Sequence, residues 1–164
     1  MFQSFFAGGF ECSTHRNFQN RRLDVIAATR HEEFAESDYL LLLNAGIKTA
    51  RDGIRWHLIE QKPYKYDFSS ALKQVRAAKK TGIQIIWDLF HYGYPDDLDI
   101  FSDEFPIRFA SFAEAFIKFL LNENQATPFI CPVNEISFFG WIAGDVGAFY
   151  PFVRGRGDEM KSQL

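Results

Sequence analysis

The stretch IQIIWDLFH, residues 83–91, is a nearly continuous apolar run, the pattern of a strand buried on both faces. Residues 106–124, PIRFASFAEAFIKFLLNEN, follow after a short loop and carry Phe109, Phe112, Phe116 and Phe119 or Leu120 at helical spacing. A doubly buried strand answered by an amphipathic helix is the unit of a parallel sheet, because parallel strands need a crossover connection. That pairing constrains everything else in the chain.

The alternation extends in both directions. SFFAGGFEC, residues 4–12, is a short apolar run expected to form the first strand. TRHEE, residues 29–33, has the spacing of a capping box, Thr29 with Glu32 three residues on. The helix it opens is expected to stop at Gly46. Ile54 and Trp56 flank Arg55, so a second strand is expected over DGIRW, residues 52–56. SSALKQVRAAKKTG, residues 69–82, predicts an amphipathic helix with Lys79 and Lys80 at its solvated C-terminal end, where the helix dipole favours cations. TPFICPVNE, residues 127–135, predicts the fourth strand. Residues 136–157 are rich in glycine and aromatics and are expected to form a long loop, with DEMKSQL opening another helix.

The order β-α-β-α-β-α-β-(α) indicates a parallel sheet with helices outside it. Two architectures fit, a doubly wound sheet and a (β/α)8 barrel. No G-x-G-x-x-G follows the first strand and no G-x-x-x-x-G-K-[ST] occurs, which removes the main support for nucleotide binding. The strand ends favour the barrel, since parallel α/β folds gather their chemistry at the C-terminal ends of strands. Those ends carry Glu11, then Arg55 and Trp56, then Asp88 and His91, then Asn134 and Glu135.

Composition narrows the function. The net charge of −3 gives no case for nucleic acid or an anionic membrane. No apolar run approaches the roughly 20 residues of a membrane span. The opening MFQSFFAGGFE lacks the basic stretch of a secretory signal, and the two cysteines, Cys12 and Cys131, make no disulfide framework. A cytoplasmic protein with reduced thiols is expected. His15, His31 and His57 are scattered, and no His/Cys spacing suggests a metal or other cofactor.

The residue types at the strand ends suit carbohydrate chemistry. A glycosidase protonates the leaving oxygen with one carboxylic acid and sets a second carboxylate opposite it. Glu135 is the candidate acid. Asn134 and His91 are candidates to bond sugar hydroxyls, and Arg55 to hold carboxylate charge. Glu11 is either a sugar contact or an internal ion pair with Arg55. Trp56, Trp87, Tyr92, Trp141 and Tyr150 are candidate aromatic platforms. Cys12 and Cys131 are expected to be small buried hydrophobes, and the Phe stripe of residues 109–119 to be core.

GIRW, DLFHYGYPDDL and PVNEIS, in that order, resemble the first half of a clan A glycoside hydrolase, most closely the family 1 β-glucosidases. FFAGGFECSTHR is similar in place to that family's opening strand. The resemblance covers roughly residues 5 to 160. It implies the N-terminal half, about four βα units, of a TIM (β/α)8 barrel, one domain over residues 1–164 cut within the fourth helix. It also implies a retaining β-glycosidase in the complete barrel, with Glu135 as acid/base and Asn134, His91 and Arg55 as supporting residues; Glu11, Tyr92 and Trp141 stay candidates, from their positions, for contact with a carbohydrate substrate, and no cofactor is expected. The chain departs from the family where Tyr92 and Gly93 replace Trp and Asp, where Ile136 replaces Pro, and where Glu11 stands in place of Gln. The family's nucleophilic glutamate lies on a seventh strand, so the fragment is expected to be inactive or weak. A non-catalytic sugar-binding or scaffold module is the alternative. Open strand edges on a half-barrel would favour self-association.

Overall fold

A computed structural model of the chain describes residues 1–123 and 128–164. Asn124, the expected end of the Phe-rich helix, and Thr127, the expected start of the fourth strand, lie outside the described residues. Four parallel strands form one sheet: β1 Ala7–Gly9, β2 Thr49–Gly53, β3 Gln84–Phe90 and β4 Phe129–Val133, in the order β1-β2-β3-β4. The order never reverses. A doubly wound sheet requires a reversal, so that reading is set aside.

Register assigns the two faces of the sheet. Gly9 pairs with Arg51 and Arg51 with Ile86, while Gly53 pairs with Asp88 and Asp88 with Cys131. Partners in a ladder share a face, and side chains alternate along each strand. Arg51, Asp88 and Cys131 therefore lie on one face, and Asp52 and Trp87 on the other.

The second face is the helix side. Helices α1 Val25–Thr29, α2 His31–Asn44, α3 Trp56–Ile59, α4 Ser69–Thr81 and α5 Glu104–Asn122 connect the strands. A Cβ on Gly8 would stand 2.7 Å from Leu42 on α2. Asp52 accepts from Gln74 of α4 at 3.0 Å and lies 2.9 Å from His31 of α2. Trp87 meets Phe116 of α5 edge-on at 5.8 Å. Of the Phe stripe, Phe112, Phe116 and Leu120 are fully buried, while Phe109 and Phe119 are partly buried and pack against the core. Repeated right-handed crossovers place successive helices on the same side of a parallel sheet.

Four expectations need correcting. Strand β2 ends at Gly53, and Trp56 opens α3 instead of closing a strand. The indole is fully buried, stacked on Phe112 at 5.1 Å, with Nε1 donating to Glu60 at 2.6 Å. Trp87 is equally buried; neither tryptophan can be a sugar platform. Thr29 caps nothing: Asp24 caps α1 by accepting from Ala27 N at 3.0 Å, and Thr29 donates back to Val25 O at 2.8 Å. Residues 136–157 are not simply a loop. They form α6 Ile136–Phe139 and a π-helical turn Gly140–Asp145. Gly144 lies so close to α7 Gly157–Gln163 that a Cβ there would be 2.8 Å from the Gly157 Cα. No helix among the described residues is long and apolar enough to cross a membrane.

Candidate active site

The C-terminal ends of the four strands converge on an open cleft of about 630 Å3. The segment after β1 contributes Glu11, Cys12 and Ser13, β2 contributes Arg51, the end of β3 contributes His91 and Tyr92, and the end of β4 contributes Asn134 and Glu135. His15, Phe138 and Phe149 form an aromatic wall, with His15 stacked on Phe149 at 3.8 Å. Of the residues expected from sequence, Glu11, His91, Tyr92, Asn134 and Glu135 are brought together here.

Arg55 is not. Its side chain is 4% exposed and lies away from the cleft, where it pairs with Asp24 at 3.2 Å and with Glu32, and donates to Ser70 O at 3.2 Å. Glu11 is therefore free of the ion pair considered for it. Trp141 is half-exposed on the π-helical turn, touches Phe138 at 5.9 Å and does not line the cleft. The arginine of the site is Arg51, which sequence reasoning missed. Its signal lay in strand parity: in TARDG, Arg51 shares a face with Gly53 and, across the ladder, with Asp88.

Arg51 opens a hydrogen-bonded series. Its Nη2 donates to Asp88 Oδ2 and to Asn134 Oδ1, both at 2.5 Å. A guanidinium only donates, so it fixes Asn134 with the amide oxygen toward Arg51. Asn134 Nδ2 then lies 2.7 Å from the Tyr92 hydroxyl and 3.0 Å from His91 Nε2. Asp88 Oδ2 is 3.0 Å from His91 Nδ1. With an ionised Asp88 accepting there, the ring proton sits on Nδ1 and Nε2 accepts from Asn134. Tyr92 completes the series by donating to Glu135 Oε2 at 2.9 Å.

Backbone and burial hold these groups. Tyr92 has φ +70° and Glu135 has φ +43°. Left-handed conformations at non-glycine residues cost on the order of 1–3 kcal/mol and gather at functional sites. The Tyr92 ring stacks on buried Phe139 at 5.3 Å with a 9° tilt. Burial, reinforced by the Glu135 carboxylate, pushes the Tyr92 phenol well above its ordinary range, so it stays a donor. Glu11 is shifted the other way. Partial burial opposes its charge, but hydrogen bonding from Ser13 holds its carboxyl below the usual range. Its Oε1 accepts from Ser13 N at 2.9 Å and lies 3.6 Å from His91 Nε2.

One group among the described residues has donors for a metal: Cys12, Asp88 and His91, whose ligand atoms lie within 4.8 Å of one another. The hydrogen bonding argues against a metal role. The Asp88 oxygen facing His91 already accepts from Arg51, the His91 lone pair points to Asn134, and the Cys12 thiol is pushed far up by burial and by Asp88.

No family model and no curated protein matches the chain. Solved structures do. A β-glucosidase from Exiguobacterium marinum matches with a TM-score of 0.76 over 99% of this chain and 43% of its own, at 16% identity. A rice β-glucosidase gives a TM-score of 0.69 over 86% of this chain and 30% of its own, at 18% identity. The fold of the described residues is similar to part of these β-glucosidase structures. A β-glycosidase from Pyrococcus horikoshii agrees, with a TM-score of 0.67 over 81% of this chain and 33% of its own, at 17% identity. The chain thus spans less than half the length of the structures it matches.

Proposed function

We propose that the chain carries the acid/base side of a β-glycosidase site on about four βα units of a TIM (β/α)8 barrel. The observation that supports this most directly is the series from Arg51 through Asn134 and Tyr92 to Glu135, at the strand ends where such barrels place their chemistry. Glu135 is the exposed member, open to the cleft. It would protonate the leaving oxygen of a β-glycoside, while Arg51 and Glu11 would contact the sugar and Asn134 and His91 would hold the hydrogen-bonded series in place. Retention needs a second carboxylate across the bond. That group would come from further strands completing the barrel, which would also cover the open sheet face. Without them, the unpaired outer edges of β1 and β4 would favour self-association.

Hydrolysis of an aryl β-glucoside by the chain joined to strands that complete the barrel and bring the second carboxylate tests the reading. Replacing Glu135 with Gln should lower kcat by about 100-fold or more, from the lower end of the range for general acid–base catalysis upward. Equal rates in the two proteins would refute the acid/base role.

A second reading, a sugar-binding module without turnover, draws on one observation. Among the described cleft residues the carboxylate other than Glu135 is Glu11, already engaged by Ser13, while Asp88 is buried beneath the cleft with one oxygen held by Arg51. Sugar binding that persists in Glu135→Gln, with no turnover in either protein, would support it.

A further inference from the structure

We infer that Tyr92 is the positioning residue of Glu135: its hydroxyl ties down Oε2 and leaves Oε1 as the oxygen that holds the transferable proton. The inference rests on the glycosidase reading and adds to it which atom of Glu135 acts, and through which neighbour.

Arg51 fixes the Asn134 amide, and the two Nδ2 hydrogens are taken by His91 Nε2 and the Tyr92 oxygen. Tyr92 already accepts from Asn134, so its own hydrogen is free to go to Glu135 Oε2. A proton on Oε2 would point at that hydrogen, and Tyr92 has no other acceptor among the described residues. A proton on Oε1 disturbs nothing: Oε2 remains an acceptor whether Glu135 is ionised or neutral. Among the described residues Oε1 has no hydrogen-bonding partner, and Glu135 is exposed to the cleft. The phenol can hold this orientation because its ring is 7% exposed, stacked on Phe139 and edge-on to His91 at 4.7 Å. A tryptophan at this position would donate from its ring N–H but could not also accept from Asn134. Tyrosine therefore links two residues that an indole would leave unlinked.

The pairing can be read in the intact chain without turnover. Ring-labelled tyrosine followed by carbon NMR gives the ionisation of each phenol, and Tyr92→Phe assigns the signal. Glu135→Gln should lower the Tyr92 midpoint by about one pH unit, since a neutral amide no longer opposes the phenolate. An unmoved midpoint overturns the pairing. Kinetics on an aryl β-glucoside then reads the role. Tyr92→Phe should lower kcat about tenfold, leave KM within about threefold and displace one limb of the pH–rate profile. A coincident profile, or a change in KM alone, overturns the positioning role. No turnover by the completed barrel strikes the glycosidase reading, and the phenol titration then decides the Tyr92–Glu135 pairing by itself.

Discussion

Two glycines determine how closely the loop after β1 approaches the strand ends. A Cβ on Gly53 would sit 2.3 Å from Cys12 Sγ, and one on Gly93 would sit 1.8 Å from Thr14 Oγ1. Neither glycine has a positive φ, so what they supply is space. Because of that space, the Cys12 thiol lies 3.1 Å from His91 Nδ1 and Glu11 is carried to the cleft beside it. Gly93 replaces an acidic residue of the resembled family, and the Thr14 contact gives that departure a steric cause. Gly53→Ala should destabilise the chain by about 1–3 kcal/mol, the usual cost of overpacking. Cys12→Gly in the same chain should recover part of that loss, because it removes both atoms the new methyl would strike. Urea unfolding midpoints of the single and double variants measure it, and strictly additive losses would contradict the contact.

At the scale of elements, α2 is anchored to β2 through His31. Its Nδ1 lies 2.6 Å from Asp38 and its Nε2 2.9 Å from Asp52, which also accepts from Tyr39. Burial alone would lower the imidazole's proton affinity, but the two carboxylates outweigh it and the pKa is raised. A group with a raised folded pKa contributes stability that is complete below its unfolded value, about 6.5, and is lost as pH rises through the folded value. The melting temperature should therefore decline above neutral pH, and His31→Gln should flatten that decline. Thermal melts of both proteins across pH 5 to 9 would show it; parallel curves would sink the assignment.

Elements with one dominant pattern were legible in the sequence. Strand β3 announced itself as an apolar run, and α4 and α5 through periodicity. Strand β2 was misplaced because its own residues, TARDG, are small or charged, while the apolar alternation falls just beyond it on Ile54 and Trp56. Both side chains are buried although they lie beyond the strand, Trp56 against Phe105, Phe109 and Phe112 of α5. The same slip moved the site arginine from Arg51 to Arg55. The π-helical turn was hidden because Gly140 and Gly144 look like loop residues, whereas four-residue spacing of glycines also makes a face for close helix approach. Glu135, Asn134, His91 and Glu11 were legible because each follows a strand directly. Tyr92 was expected as a stacking platform; its hydroxyl bridge depends on two left-handed residues that no spacing reveals.

For the whole molecule, the sequential strand order ranks the parts of the site by how firmly they are held. Strands β2 and β3 are each paired on both sides, whereas β1 and β4 are each paired on one. Local opening takes the least free energy where backbone bonds are fewest and most exposed. Amides of β2 and β3 should thus exchange with deuterium last, and those of β1, only three residues long, first. Peptide-level exchange over hours tests this, and equal protection of all four strands would contradict it. Arg51 and Asp88 stand on the slow pair, while Glu11 and Glu135 follow the two outer strands. The cationic anchor of the cleft would then persist through fluctuations in which its two exposed acids come and go.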